Sequence, residues 1–164
     1  MAGCALGLCA VLLLLAGCGG DSAAETSAPG QAAEQFGYIR SVDTSTEPAT
    51  LEFDEAQWLT GDAAQEAAEA DGAIPPGEPV PNDYYVRNPD KSTRTLEIAP
   101  DAAVTATRCD LCRDGKPGEL AAFLAAFSEE PPETYAADYR GARSQYWLRI
   151  EDGRVLSIDE QYVP

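Results

Sequence analysis

The chain has 164 residues, with 28 acidic and 11 basic side chains, a formal net charge of −17, five cysteines and no histidine. That charge excludes electrostatic docking on nucleic acid, which demands a basic face, and on anionic lipid. Without histidine there is no Ser-His-Asp or Cys-His catalysis and no histidine-containing zinc site; mechanisms built on carboxylates, Lys or Tyr stay open.

Residues 1–17 carry no charged side chain, and the apolar run Ala10–Ala16 is shorter than the roughly 20 residues a membrane-spanning helix needs. A short apolar run followed by small residues reads as a signal peptide. Its end, Leu15-Ala16-Gly17-Cys18, matches the bacterial lipobox, in which the chain is cut before the Cys and the thiol carries diacylglycerol. The expectation is therefore a lipoprotein held on the extracytoplasmic face of the cell membrane through Cys18. Two acyl chains suffice for stable anchoring at about 0.8 kcal/mol per buried methylene. The competing reading is an ordinary secretory signal with a chance Cys, and no Lys or Arg precedes the apolar run. Residues 18–35, rich in Gly, Ala, Ser and acids after Cys18, read as a flexible tether. Residues 36–164 have the length of one domain.

Within that domain Phe36–Val42 is rich in strand formers. Thr50–Asp54 alternates, with Leu51 and Phe53 on one face and Glu52 and Asp54 on the other, so the two segments predict a hairpin. Thr60 is a candidate N-cap for an Ala- and Glu-rich helix over 62–71, with Gly72 at its C-terminal end and only alanines for a buried stripe. Pro75, Pro76, Pro79 and Pro81 then break regular structure. Asp83–Arg87 is predicted to be a strand, Asn88-Pro89-Asp90-Lys91 a turn, and Arg94–Ile98 the returning partner strand. Ala103–Thr107 is a further strand leading into a cysteine pair, and residues 114–118 read as a loop. Leu120, Phe123, Leu124 and Phe127 mark one face of a second helix, ended by Pro131-Pro132. Gln145–Ile150 and Arg154–Asp159 flank Asp152-Gly153, the preferred two-residue hairpin turn. The sum is an α+β domain around a mainly antiparallel sheet of about six or seven strands, able to curl into a partial barrel, with two helices.

Cys4 and Cys9 leave with the leader and Cys18 takes lipid, which leaves Cys109 and Cys112. Outside the cytoplasm two thiols at this spacing should pair. The bridge either staples a local turn or is redox active, since Arg108 and Arg113 favour a thiolate. Against the redox reading, a loop separates the pair from the next helix. Two Cys without His do not complete a zinc site, and the carboxylates lack calcium-loop spacing, so no metal or other cofactor is expected.

Candidate ligand-binding residues come from aromatics that a sheet cannot all hide. Tyr84 and Tyr85 are adjacent, as are Tyr146 and Trp147, so a strand sends the members of each pair to opposite faces. Trp58, Asp83, Tyr84, Tyr85 and Trp147, with Glu160 another acid near aromatics, could hold a sugar or a cationic group, near the Pro-rich loop 74–82. The bland alternative is aromatics in the core and acids in solvent.

The segments Gly37-Tyr38-Ile39, Trp58-Leu59-Thr60-Gly61, Pro81-Asn82-Asp83-Tyr84-Tyr85-Val86-Arg87-Asn88, Tyr146-Trp147, Asp152-Gly153-Arg154-Val155 and Ile158–Pro164 resemble an uncharacterised group of secreted or lipid-anchored proteins of Gram-positive bacteria, of actinobacterial type. The likeness covers nearly the whole domain through short motifs and supports a domain start near Phe36. It implies no activity and carries over no site residue; the Cys109/Cys112 loop is not one of its features.

The expected function is a non-enzymatic, membrane-anchored binding or interaction module of the cell envelope, with an envelope protein or glycan as partner. Two alternatives stand beside it: a thiol–disulfide protein using Cys109 and Cys112, and a carboxylate-based hydrolase of wall glycans, which requires two facing acids in a cleft. Oligomeric state is not legible.

Overall fold

A computed structural model describes residues 31–106, 116–127 and 140–162. The leader, Cys18 and the Cys109/Cys112 pair lie outside the described residues. Among the described residues seven strands form in chain order: β1 (Ala33–Asp43), β2 (Thr50–Thr60), β3 (Tyr84–Arg87), β4 (Thr93–Ala106), β5 (Lys116–Gly118), β6 (Gln145–Glu151) and β7 (Arg154–Gln161). Helix α1 (Gly61–Ala70) follows β2, and α2 (Leu120–Ala125) lies between β5 and β6.

The sheet order is β3-β2-β1-β6-β7-β4-β5, and β2 also pairs with β4. That extra pairing closes β1, β2, β4, β7 and β6 into a five-stranded barrel, where the sequence pointed to a partial one. All pairings are antiparallel except β4 with β7. The first barrel strand pairs with the second and fourth, and the third runs parallel to the fifth. This is the connectivity of OB-type barrels.

Closure is possible because two strands bend. β1 carries an irregularity between Ile39 and Ser41 as it passes from β6 to β2. Residues 94–98 and 103–107, expected as separate strands, belong in their described part to one strand. It changes register between Ile98 and Ala103, around Pro100. Gly37 sits where β1 crosses β2: a Cβ there would run into the Asp54 carbonyl oxygen and stand 2.8 Å from Phe53 Cζ. A glycine inside a strand marks such a close approach.

The expected hairpin of residues 83–87 with 94–98 does not form. β2 is longer than its alternating segment and takes both strands on one side, end to end. Thr50–Asp54 pairs with β4, and Gln57–Thr60 pairs with β3. Part of the expected loop over 114–118 is instead strand β5, an added edge on β4. β1 begins at Ala33, ahead of Phe36, and Ala33 pairs with Ile150.

The barrel interior holds Ile39, Leu51, Phe53, Leu96, Ile98, Val104, Leu148, Val155 and Ile158, as the alternation requires. Phe123 of α2 is fully buried in the same core against Tyr146, with ring centroids 5.7 Å apart. Leu120, Leu124 and Phe127 pack around it, so the predicted apolar face of α2 is the face that meets the barrel. The β6–β7 turn is at Asp152-Gly153, with Glu151 opposite Arg154.

The connection from β2 to β4, residues 61–92, adds a second layer outside the barrel. α1 packs on β3 and the end of β2 and buries Ala64, Ala67 and Ala68. Thr60 occupies its N-cap without a side-chain bond, and Asp71 is its C-cap. Gly72 follows with φ +69° and donates its N–H to the Glu69 carbonyl, a left-handed ending that glycine tolerates best.

Candidate functional site: a polar recess beside an aromatic row

Pairing across antiparallel strands puts directly opposed residues on one face. Trp147 opposes Phe36, Phe36 opposes Ala56, and Trp58 opposes Val86. Trp147, Phe36, Trp58 and Tyr84 therefore form a continuous row over β6, β1, β2 and β3, on the outer face of the barrel. Phe36 is buried in the middle, tilted against Trp147 at 5.0 Å and edge-on to Trp58 at 5.3 Å. Trp58 and Tyr84 lie stacked at 4.3 Å with 10° between planes. The other three rings are half-buried, and the Trp147 indole N–H donates to Gln161 Oε1 at 2.8 Å.

The same face turns polar along β1 and β2. Tyr38 opposes Asp54, which is 1% exposed despite its outward direction. The added layer covers it: Asn88 Nδ2 donates to Asp54 Oδ1 at 3.0 Å. Arg40 donates to Asp54 Oδ2 from Nε at 2.9 Å and also from Nη2. The Arg40 guanidinium lies over the Tyr38 ring, 4.3 Å from its centroid. A carboxylate taken out of water needs such partners. In return it holds Arg40, 42% exposed, in one orientation.

A recess of about 480 Å³ opens here, lined by Tyr38 and Arg40 of the barrel and by Asp71, Tyr85, Val86, Asn88, Pro89 and Lys91 of the connection. Its volume falls within the range of small-molecule sites. Asp71 accepts two bonds from Arg87, Nε to Oδ2 at 2.9 Å and Nη2 to Oδ1 at 2.8 Å, and one from the Tyr85 hydroxyl at 3.3 Å. The Arg87 hydrogen bond holds the Asp71 carboxyl below the usual carboxylate range, and burial with the nearby Asp71 charge pushes the Tyr85 phenol up. Asp71 is thus a fixed acceptor, and Arg40 a fixed donor whose Nη1 is not spent on Asp54. Val86 and Pro89 supply apolar surface between them. No group of three or more metal-ligating side chains forms among the described residues.

The five candidate binding residues are divided by this arrangement. Trp58, Tyr84 and Trp147 join the aromatic row, Tyr85 lines the recess, and Asp83 is exposed in the 3-10 turn Pro81–Asp83 with φ +57°. Tyr84 and Tyr85 do point to opposite faces, but both are half-buried, so neither is a core residue; of the other pair, Tyr146 is core and Trp147 is not. Glu160 is buried opposite Tyr146, on the inner side of β7. The Pro-rich loop does not line the recess. It is clamped to α1 instead: Gln65 donates to the Glu78 carbonyl at 2.8 Å and accepts from Val80 N–H at 3.1 Å, and Glu69 accepts from Gly77 N–H at 2.8 Å.

Tyr38, Arg40, Asp54, Asn88 and Lys91 were not among the candidates. Tyr38 and Arg40 are an outward i, i+2 pair on a strand, and Asp54 continues the outward series of β2. That much was visible in the alternation. Their union with the turn Asn88–Lys91 required the unforeseen placement of β3 beside β2.

In comparisons with known proteins, no family model, no curated protein and no solved structure matches the chain.

Proposed function

We propose that this chain is a binding module of the cell envelope, tethered outside the membrane by lipid on Cys18, which holds a saccharide in the recess beside the aromatic row. The observation that carries this reading is the recess itself. The connection 61–92, which a bare five-stranded barrel does not need, contributes most of its lining. Function on common folds lies in such grafted sites, and OB-type barrels host oligosaccharide binding among other roles. Donors and acceptors fixed in advance by ion pairs, Arg40 on Asp54 and Asp71 on Arg87, suit the vicinal hydroxyls of a sugar. Their ordering cost is met within the fold. Half-buried Trp58 and Tyr84 beside Val86 extend the surface toward a longer glycan.

The hydrolase reading fares less well. It needs one carboxyl kept protonated near neutral pH, whereas Asp71, the acid lining the recess, is held ionised by Arg87. The thiol–disulfide reading rests on Cys109 and Cys112 alone, and the recess contributes nothing to it.

Two measurements test the proposal. Cys18→Ala should abolish lipid labelling and release the protein from the membrane fraction. Thermal unfolding against a panel of mono- and oligosaccharides should show stabilisation, about 2.7 kcal/mol at 100 times the dissociation constant, lost in Tyr85→Ala. A flat response across the panel overturns the saccharide reading.

A further inference from the structure

The recess is locally cationic in a chain of net charge −17. Arg40 is offset by Asp54 and Arg87 by Asp71, but Lys91 makes no ion pair with any described residue and lines the same recess as Arg40. The loop between β3 and β4 sorts its two charges. Lys91 goes to this recess, and Asp90 goes to a second hollow on the other side of the loop, lined also by Arg87 and Arg94. Asp90 in addition accepts the Ser92 N–H at 2.9 Å. Among the described residues the one acid lining this recess, Asp71, has both its oxygens engaged by Arg87.

Arg40 also presents the right edge. Nε and Nη2 face Asp54, which leaves Nη1 as a donor held in place by the buried carboxylate below and the Tyr38 ring beside it. A rigid guanidinium joined by a compact ammonium is a combination that recognises oxyanions.

Resting on the saccharide reading above, we infer that the ligand is an anionic saccharide, a uronic acid or a sugar phosphate, with its oxyanion placed between Arg40 Nη1 and Lys91 Nζ. Arg40 and Lys91 bind the charge, while Asp71 and Tyr85 face the ring hydroxyls.

Glucose, glucuronate and glucose 6-phosphate differ only at C6, so calorimetric titration of the protein with the three separates the terms. At least one of the two anions should bind about tenfold or more tightly than glucose, the order one charge-assisted hydrogen bond supplies, and which one does distinguishes carboxylate from phosphate. Lys91→Gln, at an exposed position that does not threaten folding, should cut that ratio at least about fivefold, and Asp90→Asn, on the far side of the loop, should leave it in place. Equal binding of all three sugars overturns the anion inference and leaves the saccharide reading standing. Acetate or inorganic phosphate binding as tightly as the sugar acids overturns the saccharide reading and leaves the oxyanion site. No binding by any of them overturns both.

Discussion

Asp54 shows how a single side chain decides the architecture of the recess. It is fully buried on the outside of a barrel, and its charge is met by Arg40 and Asn88, residues from β1 and from the end of β3. Removing one partner of such a pair leaves the other charge poorly solvated. Arg40→Ala should therefore lower stability by about 2–4 kcal/mol, read from urea unfolding, whereas Lys91→Ala should stay within about 0.5 kcal/mol. Equal effects would mean that Asp54 reaches water. Asp71 contributes to the pH dependence, as do Asp43, Glu52 and Glu69, whose carboxyls hydrogen bonds also hold low. Arg87 lowers the native value of Asp71 below the usual carboxylate range, so the unfolded chain takes up a proton first as pH falls. The stabilisation is fully present above about pH 5 and is lost as pH falls from the unfolded value, roughly 3.9, through the lower native one. Asp71→Asn should be less stable than the parent at pH 7, with the difference closing in strong acid. Unfolding curves from pH 7 to 2 check this, and a constant gap would contradict it.

Among elements, the alternating and periodic ones were legible. Leu51 and Phe53, Leu96 and Ile98, and the β6–β7 hairpin follow from a two-residue period with one buried face, and α2 follows from Leu120, Phe123, Leu124 and Phe127. What the sequence did not disclose was partnership. The turn chemistry of Asn88-Pro89-Asp90-Lys91 argued for a hairpin, yet β3 and β4 both found β2, because a long bent strand offers more pairing than a short hairpin does. The recess was hidden for the same reason, since its two halves meet only through that pairing. Two substitutions probe the elements. Gly37→Ala places a methyl against the Asp54 carbonyl, which is backbone and cannot swing away; it should cost about 3 kcal/mol or more and loosen the β1–β2 crossing. Phe123→Ala removes the ring that α2 inserts into the core and should cost about 3–5 kcal/mol, with amide exchange rising first in α2. Unchanged exchange in α2 would show that it is held by other contacts.

At the scale of the molecule, a closed barrel supplies a wall and the connection 61–92 builds a recess against it. The barrel interior is filled by side chains such as Phe53, Leu148 and Ile158, and the recess lies on its outer surface. The strongly acidic exterior repels anions at long range, so an anionic ligand would be held by contacts inside the recess alone. The most direct test of the account is to map the backbone amide shifts of the protein by NMR while a saccharide is titrated in. Saturable shifts should cluster at Tyr38, Arg40, Tyr85, Asn88 and Lys91, spreading toward Trp58, with none at the apolar hollow formed by Val42, Leu124 and Phe127. Shifts centred on that hollow, or none at saturating sugar, would contradict it.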